Sequence, residues 1–172
     1  TGNGLTWEAP TGDLASVLGL ASQVDNLTVY VGEGSYVGDF VIPSNVSVTG
    51  KYDGKDGYIN GNLHTLFIGD ITLNSFLGYA EVEGSVKMCN ATMVQVTVSD
   101  SRQEYGVWVE NANGLDKSLL KGCIITNNNI GLQLTYGVAE LERCVVYQNK
   151  KWGVYGKRGH LEARFCQFSE NA

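Results

Sequence analysis

Apolar and polar residues alternate in short bursts along almost the whole chain. Leu27, Val29 and Val31 are separated by Thr28 and Tyr30, Val86 and Met88 by Lys87, and Val94, Val96 and Val98 by Gln95 and Thr97. Later, Leu132 and Leu134 flank Gln133, Ala139 and Leu141 alternate with Glu140 and Glu142, and Leu161 and Ala163 alternate with Glu162 and Arg164. A two-residue period turns one side of an extended segment inward, so each burst predicts a short strand. One segment differs: Asp13 precedes Leu14, Val17, Leu18 and Ala21. That spacing predicts a helix of about ten residues with an aspartate N-cap. No helical period follows residue 25.

The bursts repeat. Cys123, Cys144 and Cys166 lie 21 and 22 residues apart, and Asn128, Asn149 and Asn171 each follow a cysteine by five positions. Ile125, Val146 and Phe168 follow by two, and Ile130-Gly131 and Trp152-Gly153 come next, with Tyr105-Gly106 as an earlier counterpart. A period near twenty residues signals a stack of rows, none of which can bury its apolar face alone. Three short strands fit each row, and no helical return is visible. The prediction is therefore an all-β solenoid: a single-stranded parallel β-helix of about six to seven coils, each strand pairing with its equivalent roughly 4.8 Å away. Residues 1–25 form the N-terminal capping helix and its flank, and 26–172 the coils of the same single domain. Trp7 is expected to seal the cap. The final row shows no cap, which predicts either a longer parent protein or an end covered by a partner copy in a homo-oligomer.

The columns carry physical expectations. Asparagine tolerates the left-handed backbone that a sharp repeated turn demands, and stacked amides hydrogen-bond along a column. The cysteines are expected to be four buried, reduced thiols. In-register neighbours on parallel strands point their Cβ atoms the same way, which strains a disulfide. Cys89 falls outside the column, and no C-x-x-C or Cys/His cluster suggests a metal.

Composition narrows the function. Gly is 22 of 172 residues and Pro 2, as suits many tight turns, and charged residues are 17%. A net charge of −6 argues against nucleic acid and anionic membrane surfaces. No run of eighteen apolar residues suggests a membrane span. The loop from Tyr52 to Gly57 lacks calcium-loop spacing. The excursion from Glu110 to Lys117 is longer than its later counterparts. Asn26, Asn45 and Asn90 stand in glycosylation sequons, which would mark surface turns in a eukaryotic secreted protein.

Gly4, Leu5, Thr6 and Trp7, then Asp13, Leu14, Val17, Leu18 and Ala21, then Asp25 to Tyr36 and Val46 to Gly50 resemble the opening of right-handed β-helix proteins of bacterial surfaces. These include the chlamydial polymorphic outer-membrane proteins and secreted β-helix proteins of Bacteroidetes. The Asn- and Gly-rich rows are similar to repeats of polysaccharide lyases and adhesins alike. The resemblance implies a right-handed winding and a secreted or cell-surface location.

Three functions remain open. Hydrolases of this architecture need paired carboxylates, and the Asn-Thr-Asp, Asp-Asp and Gly-His-Gly motifs of the galacturonase-like hydrolases are missing. His64 and His160 read as turn residues. Lys150, Lys151, Lys157, Arg158 and Arg164 form the one basic cluster that could serve a lyase, and otherwise balance an acidic surface. A scaffold or fragment of a polysaccharide lyase or glycoside hydrolase is thus one alternative, and a purely structural stalk another. The leading expectation is non-enzymatic adhesion or carbohydrate recognition, without a cofactor. Its candidate ligand-binding residues are the outward column Trp108, Gln133 and Tyr155 with Tyr105 and Trp152 beside it, aromatic faces suited to a polysaccharide or a host or cell-surface glycan.

Overall fold

The computed structural model describes residues 11–54, 59–110 and 117–172. Trp7 and the interiors of the two longer excursions, residues 55–58 and 111–116, lie outside them. The described chain is mostly β, with eighteen strands and one helix near the N-terminus. Helix α1 (Leu14–Ala21) comes first. The strands then run in rows: β1 (Leu27–Tyr30), β2 (Gly34–Val37), β3 (Phe40–Ile42); β4 (Val46–Thr49), β5 (Thr65–Ile68), β6 (Ile71–Leu73); β7 (Phe76–Glu83), β8 (Val86–Met88); β9 (Thr92–Ser99), β10 (Tyr105–Glu110); β11 (Lys117–Lys121), β12 (Ile124–Thr126), β13 (Ile130–Thr135); β14 (Val138–Glu142), β15 (Val145–Tyr147), β16 (Trp152–Lys157); β17 (His160–Arg164), β18 (Gln167–Ser169). They form two parallel sheets, of twelve and six strands. The long strands β7 and β9 each span two faces of the larger sheet, bending at Tyr79 and Gln95.

Register aligns the inward residues in columns. One runs Val29, Val48, Leu77, Met93, Leu120, Leu141, Ala163. A second runs Tyr36, Phe67, Val82, Val98, Ile125, Val146, Phe168. The six-stranded sheet adds Phe40, Ile71, Val86, Val107, Leu132 and Val154. Most of these side chains are fully buried and meet in one apolar cluster. In the last row the cover ends: Phe168 is 42% exposed where Val146 is 0%. Val154 on β16, Leu161 on β17 and Cys166 are only half-buried.

At the other end, Asp13 caps α1 by accepting from the Ser16 N–H at 3.0 Å. The helix buries Leu14, Leu18 and Ala21 against β1 and β3, the outermost strands of the two sheets. Asn45 holds the chain leaving the helix, its Nδ2 donating to the Ser22 and Val24 carbonyls at 3.1 and 2.7 Å. That sequon asparagine lies in the turn before β4 and its side chain is engaged in the fold.

The corner between the two sheets is built from a column longer than the sequence suggested. Asn128 N–H donates to Asn149 Oδ1, and Asn149 N–H to Asn171 Oδ1, both at 3.1 Å. The amides also bond to each other, Asn149 Nδ2 to Asn171 Oδ1 at 2.9 Å. Upward the column continues through unlike residues. Ser101 N–H donates to Asn128 Oδ1 at 3.1 Å, Ser85 N–H to Asp70 Oδ1 at 2.9 Å, and Asp70 N–H to Asp39 Oδ1 at 2.8 Å. The left-handed turn expected at the ladder asparagines falls one residue earlier, on Asp100, Asn127, Gln148 and Glu170, with φ between 52° and 58°. The ladder residue itself needs a backbone that aims its amide along the column.

The glycines opposite it are there for space. A Cβ on Gly131 would lie 2.7 Å from Asn149 Nδ2, and one on Gly153 2.6 Å from Asn171 Nδ2. A Cβ on Gly106 would run into the Asn128 amide. At Gly153 the three atoms nearest an added Cβ all belong to the Asn171 side chain. Gly153→Ala should therefore destabilise by about 1–3 kcal/mol. Combined with Asn171→Ala it should cost less than the two single changes added, with a coupling on the order of 1 kcal/mol. Chemical denaturation of the four proteins of this cycle measures the coupling, and strict additivity would refute the contact.

Asp70 adds a pH dependence. Burial acts to raise its carboxyl pKa, but donors from Ser85 and Gln103, with Arg102 nearby, outweigh it and hold it below the ordinary aspartate value. The resulting stabilisation is complete above the unfolded-state pKa and is lost as pH falls through the depressed folded one. Asp70→Asn keeps an acceptor for Ser85 while removing the titration. Its stability should fall less steeply than that of the parent between about pH 5 and pH 2, as followed by urea midpoints.

Candidate functional site

The outer face of the six-stranded sheet gathers the aromatic residues marked in the sequence. Each of its later strands opens on a large residue followed by glycine, with an outward residue two positions beyond the glycine. Register places Trp108, Gln133 and Tyr155 side by side, and Tyr105, Ile130 and Trp152 side by side. Tyr105 and Trp108 meet with ring centroids 5.1 Å apart, and Trp152 and Tyr155 stack at 4.9 Å with planes 19° apart. All five candidate residues thus share one face, with Gln133 between the ring pairs.

The two pairs are not equivalent. Trp108 is half-buried, its Nε1 donating to Thr135 Oγ1 at 3.3 Å and Lys87 Nζ lying 4.3 Å from the ring centroid. Lys87 also pairs with Glu110 at 2.6 Å. Trp152 and Tyr155 are 40% and 39% exposed. Lys151 Nζ lies 4.6 Å from the Trp152 ring centroid and 3.1 Å from Glu104. Ile130 is 1% exposed yet stands outside the inner apolar cluster, with Tyr105 and Trp152 as its register partners. Burial, assisted by the Asp70 carboxylate, raises the Tyr105 phenol.

Lys87, Glu110, Thr135, Lys151 and Glu104 escaped sequence reasoning as parts of this face. Lys87 becomes visible only when Val86 and Met88 are aligned with Val107 and Val109. The basic residues near the C-terminus are dispersed: Lys151 precedes β16 and Lys157 ends it, Arg158 lies on the Tyr136 ring, and Arg164 ends β17 beside Glu162. His64 and His160 are exposed and pair with Glu81 and Glu162. A groove of about 290 Å³ between α1 and β3 is lined mainly by Leu18, Gly19, Phe40, Val41 and Pro43, and offers little polar chemistry.

The cysteines form a second constellation, on the inside. Cys123, Cys144 and Cys166 continue a column begun by Ala80 and Val96, in the bend between two faces of the larger sheet. All four cysteines are free. Only Cys123 and Cys144 are buried. Cys166, between β17 and β18, and Cys89, in the turn after β8, are half-buried. The expectation of four buried thiols fails on these two. A hydrogen bond from the Cys123 thiol lowers the Cys144 pKa to about 7, and that bond together with burial pushes Cys123 well up. Among the described residues, no three or more His, Cys, Asp or Glu side chains converge as a metal-binding group.

Compared with known proteins, the chain matches no family model, no curated protein and no solved structure.

Burial makes the thiols distinguishable. A colorimetric disulfide reagent should titrate Cys89 and Cys166 in the native protein and reach Cys123 and Cys144 only after denaturation. Four equally fast thiols would contradict the packing.

Proposed function

We propose that the chain is a right-handed parallel β-helix capped by α1, and that it acts without catalysis as a secreted or cell-surface rod recognising carbohydrate on its six-stranded face. In-register columns seven strands deep and exclusively parallel pairing between the named strands support the winding. The carrying observation for recognition is the exposed Trp152–Tyr155 stack. Aromatic faces offer apolar area to a sugar ring, while Gln133 and the neighbouring lysine and glutamate side chains offer the polar rim a hydroxylated ligand needs. The free thiols do not oppose an oxidising environment, because parallel in-register cysteines are poorly placed to cross-link.

The stalk reading has one observation in its favour. The ring pairs, lysines and glutamates of this face already satisfy one another, and together they stabilise the sheet through cross-strand contacts of roughly 0.2–1 kcal/mol each. A glycan array followed by titration of any hit separates the readings. Trp152→Ala and Tyr155→Ala should each weaken binding by about tenfold or more, and Trp108→Ala by less. An empty array, or a hit indifferent to Trp152→Ala and Tyr155→Ala, leaves the stalk.

A further inference from the structure

We infer that the ligand of the six-stranded face is an uncharged, extended chain of equatorially linked pyranoses, of the β-1,4-glucan, mannan or chitin kind, laid across successive strands. The inference rests on the carbohydrate reading above and specifies its ligand. Register sets the direction. Tyr105, Ile130 and Trp152 form one column, and Trp108, Gln133 and Tyr155 form another. Both columns run across the strands. The ring pairs, Tyr105 with Trp108 and Trp152 with Tyr155, sit on β10 and β16 with β13 between them. Two steps between parallel strands separate the pairs by about 9–10 Å. An extended β-1,4-linked chain turns each sugar over relative to the last, so the same face returns at every second residue. That repeat, one disaccharide long, is close to two strand steps. The ring pairs are thus placed to meet the same face of alternate sugars. An α-1,4-linked chain curls and leaves so straight a file.

The strand between the pairs suits the sugar between. Ile130 is buried there, so no bulky side chain stands up in the path of a chain. Gln133 is half-buried, and its amide hydrogen-bonds to no other described residue. An amide offers both a donor and an acceptor, which a sugar hydroxyl can use together. Charge then separates neutral glycans from acidic ones. Lys87 is paired with Glu110 at 2.6 Å and Lys151 with Glu104 at 3.1 Å. A uronate carboxylate would have to displace a glutamate to gain either lysine, and the chain's net charge of −6 opposes a polyanion. A neutral sugar leaves both ion pairs in place and shares their outward oxygens and N–H groups through its hydroxyls.

The protein is titrated calorimetrically with cello-, manno- and chito-oligosaccharides of two to six sugars, with maltohexaose and hexagalacturonate as comparisons. A trisaccharide is the shortest chain that reaches both ring pairs. Affinity in at least one equatorially linked series should therefore rise by about tenfold from the disaccharide to the trisaccharide and change little beyond it. Maltohexaose and hexagalacturonate should bind more weakly than that trisaccharide. Trp108→Ala should remove the step. The length series on the parent needs no variant and decides alone where Trp108→Ala fails to fold. A smooth or flat series, tighter binding of maltohexaose or hexagalacturonate, or a step retained by a folded Trp108→Ala would each overturn this ligand class while leaving carbohydrate recognition standing. Binding of none of these sugars together with an empty glycan array would remove both.

Discussion

The structure depends on one hydrogen bond made over and over: a side-chain oxygen at the corner accepts the backbone N–H of an adjacent row. Within each face the backbone satisfies itself, because parallel strands exchange N–H and C=O groups along their length. At a corner the chain changes direction and that exchange is interrupted. A buried N–H left there would cost about 1–3 kcal/mol. Asp39, Asp70, Asn128, Asn149 and Asn171 supply the missing acceptor. The direction of the bond reverses midway. Asp39 and Asp70 accept from the row that follows them, whereas Asn128, Asn149 and Asn171 accept from the row before. The reversal coincides with a change in the preceding residue, from Gly38, Gly69 and Gly84 at φ 139–159° to Asp100, Asn127, Gln148 and Glu170 at φ 52–58°. Two corner conformations aim the same side-chain position in opposite senses along the stack.

That corner also places the outer face. In the later rows the asparagine amide needs a strand without a Cβ beside it, which fixes Gly106, Gly131 and Gly153. The residue before each glycine is the first of its strand and is free to be large. Tyr105 and Trp152 occupy that place and reach the aromatic rings three positions on, at Trp108 and Tyr155. The aromatic pairs are therefore a consequence of where the amide column needs room. The inner bend between the two faces of the larger sheet imposes a different demand, for small or compact side chains, met in turn by Ala80, Val96 and the three cysteines.

Legibility followed chemical repetition. The later rows reuse cysteine, asparagine and glycine at fixed offsets, so their columns could be aligned by identity, and the outward set Trp108, Gln133 and Tyr155 came out in true register. In the earlier rows the same columns change composition. Asp39 and Asp70 do what asparagine does later, Ser85 and Ser101 enter the column as backbone N–H donors, and Ala80 and Val96 stand where cysteine stands later, so identity gives no alignment there. The stretch from Tyr58 to Gly84 was opaque for a second reason: β7 carries the chain through two faces without a visible break, turning at Tyr79 instead of at a glycine. Lys87 and Thr135 are hidden because each lies a row away from the Trp108 ring it touches, and the Lys151–Glu104 pair because it joins different rows, distances set by register rather than by sequence.

The bends themselves show where the energy lies. Tyr79, Gln95, Arg143 and Phe165 hold φ between 52° and 57°, and of the five aligned positions only Gly122 is a glycine. A non-glycine residue in that region is strained by on the order of 1–3 kcal/mol and persists only when its surroundings impose it. Here the imposition comes from the rows above and below, whose strands fix both ends of each bend. The fold is then held less by local preference than by neighbours, as in any stack whose units contact only the adjacent ones. Among the described strands, β16, β17 and β18 each pair on one side only, with β13, β14 and β15. Exposure and weaker constraint thus come together on β16, which bears the aromatic stack.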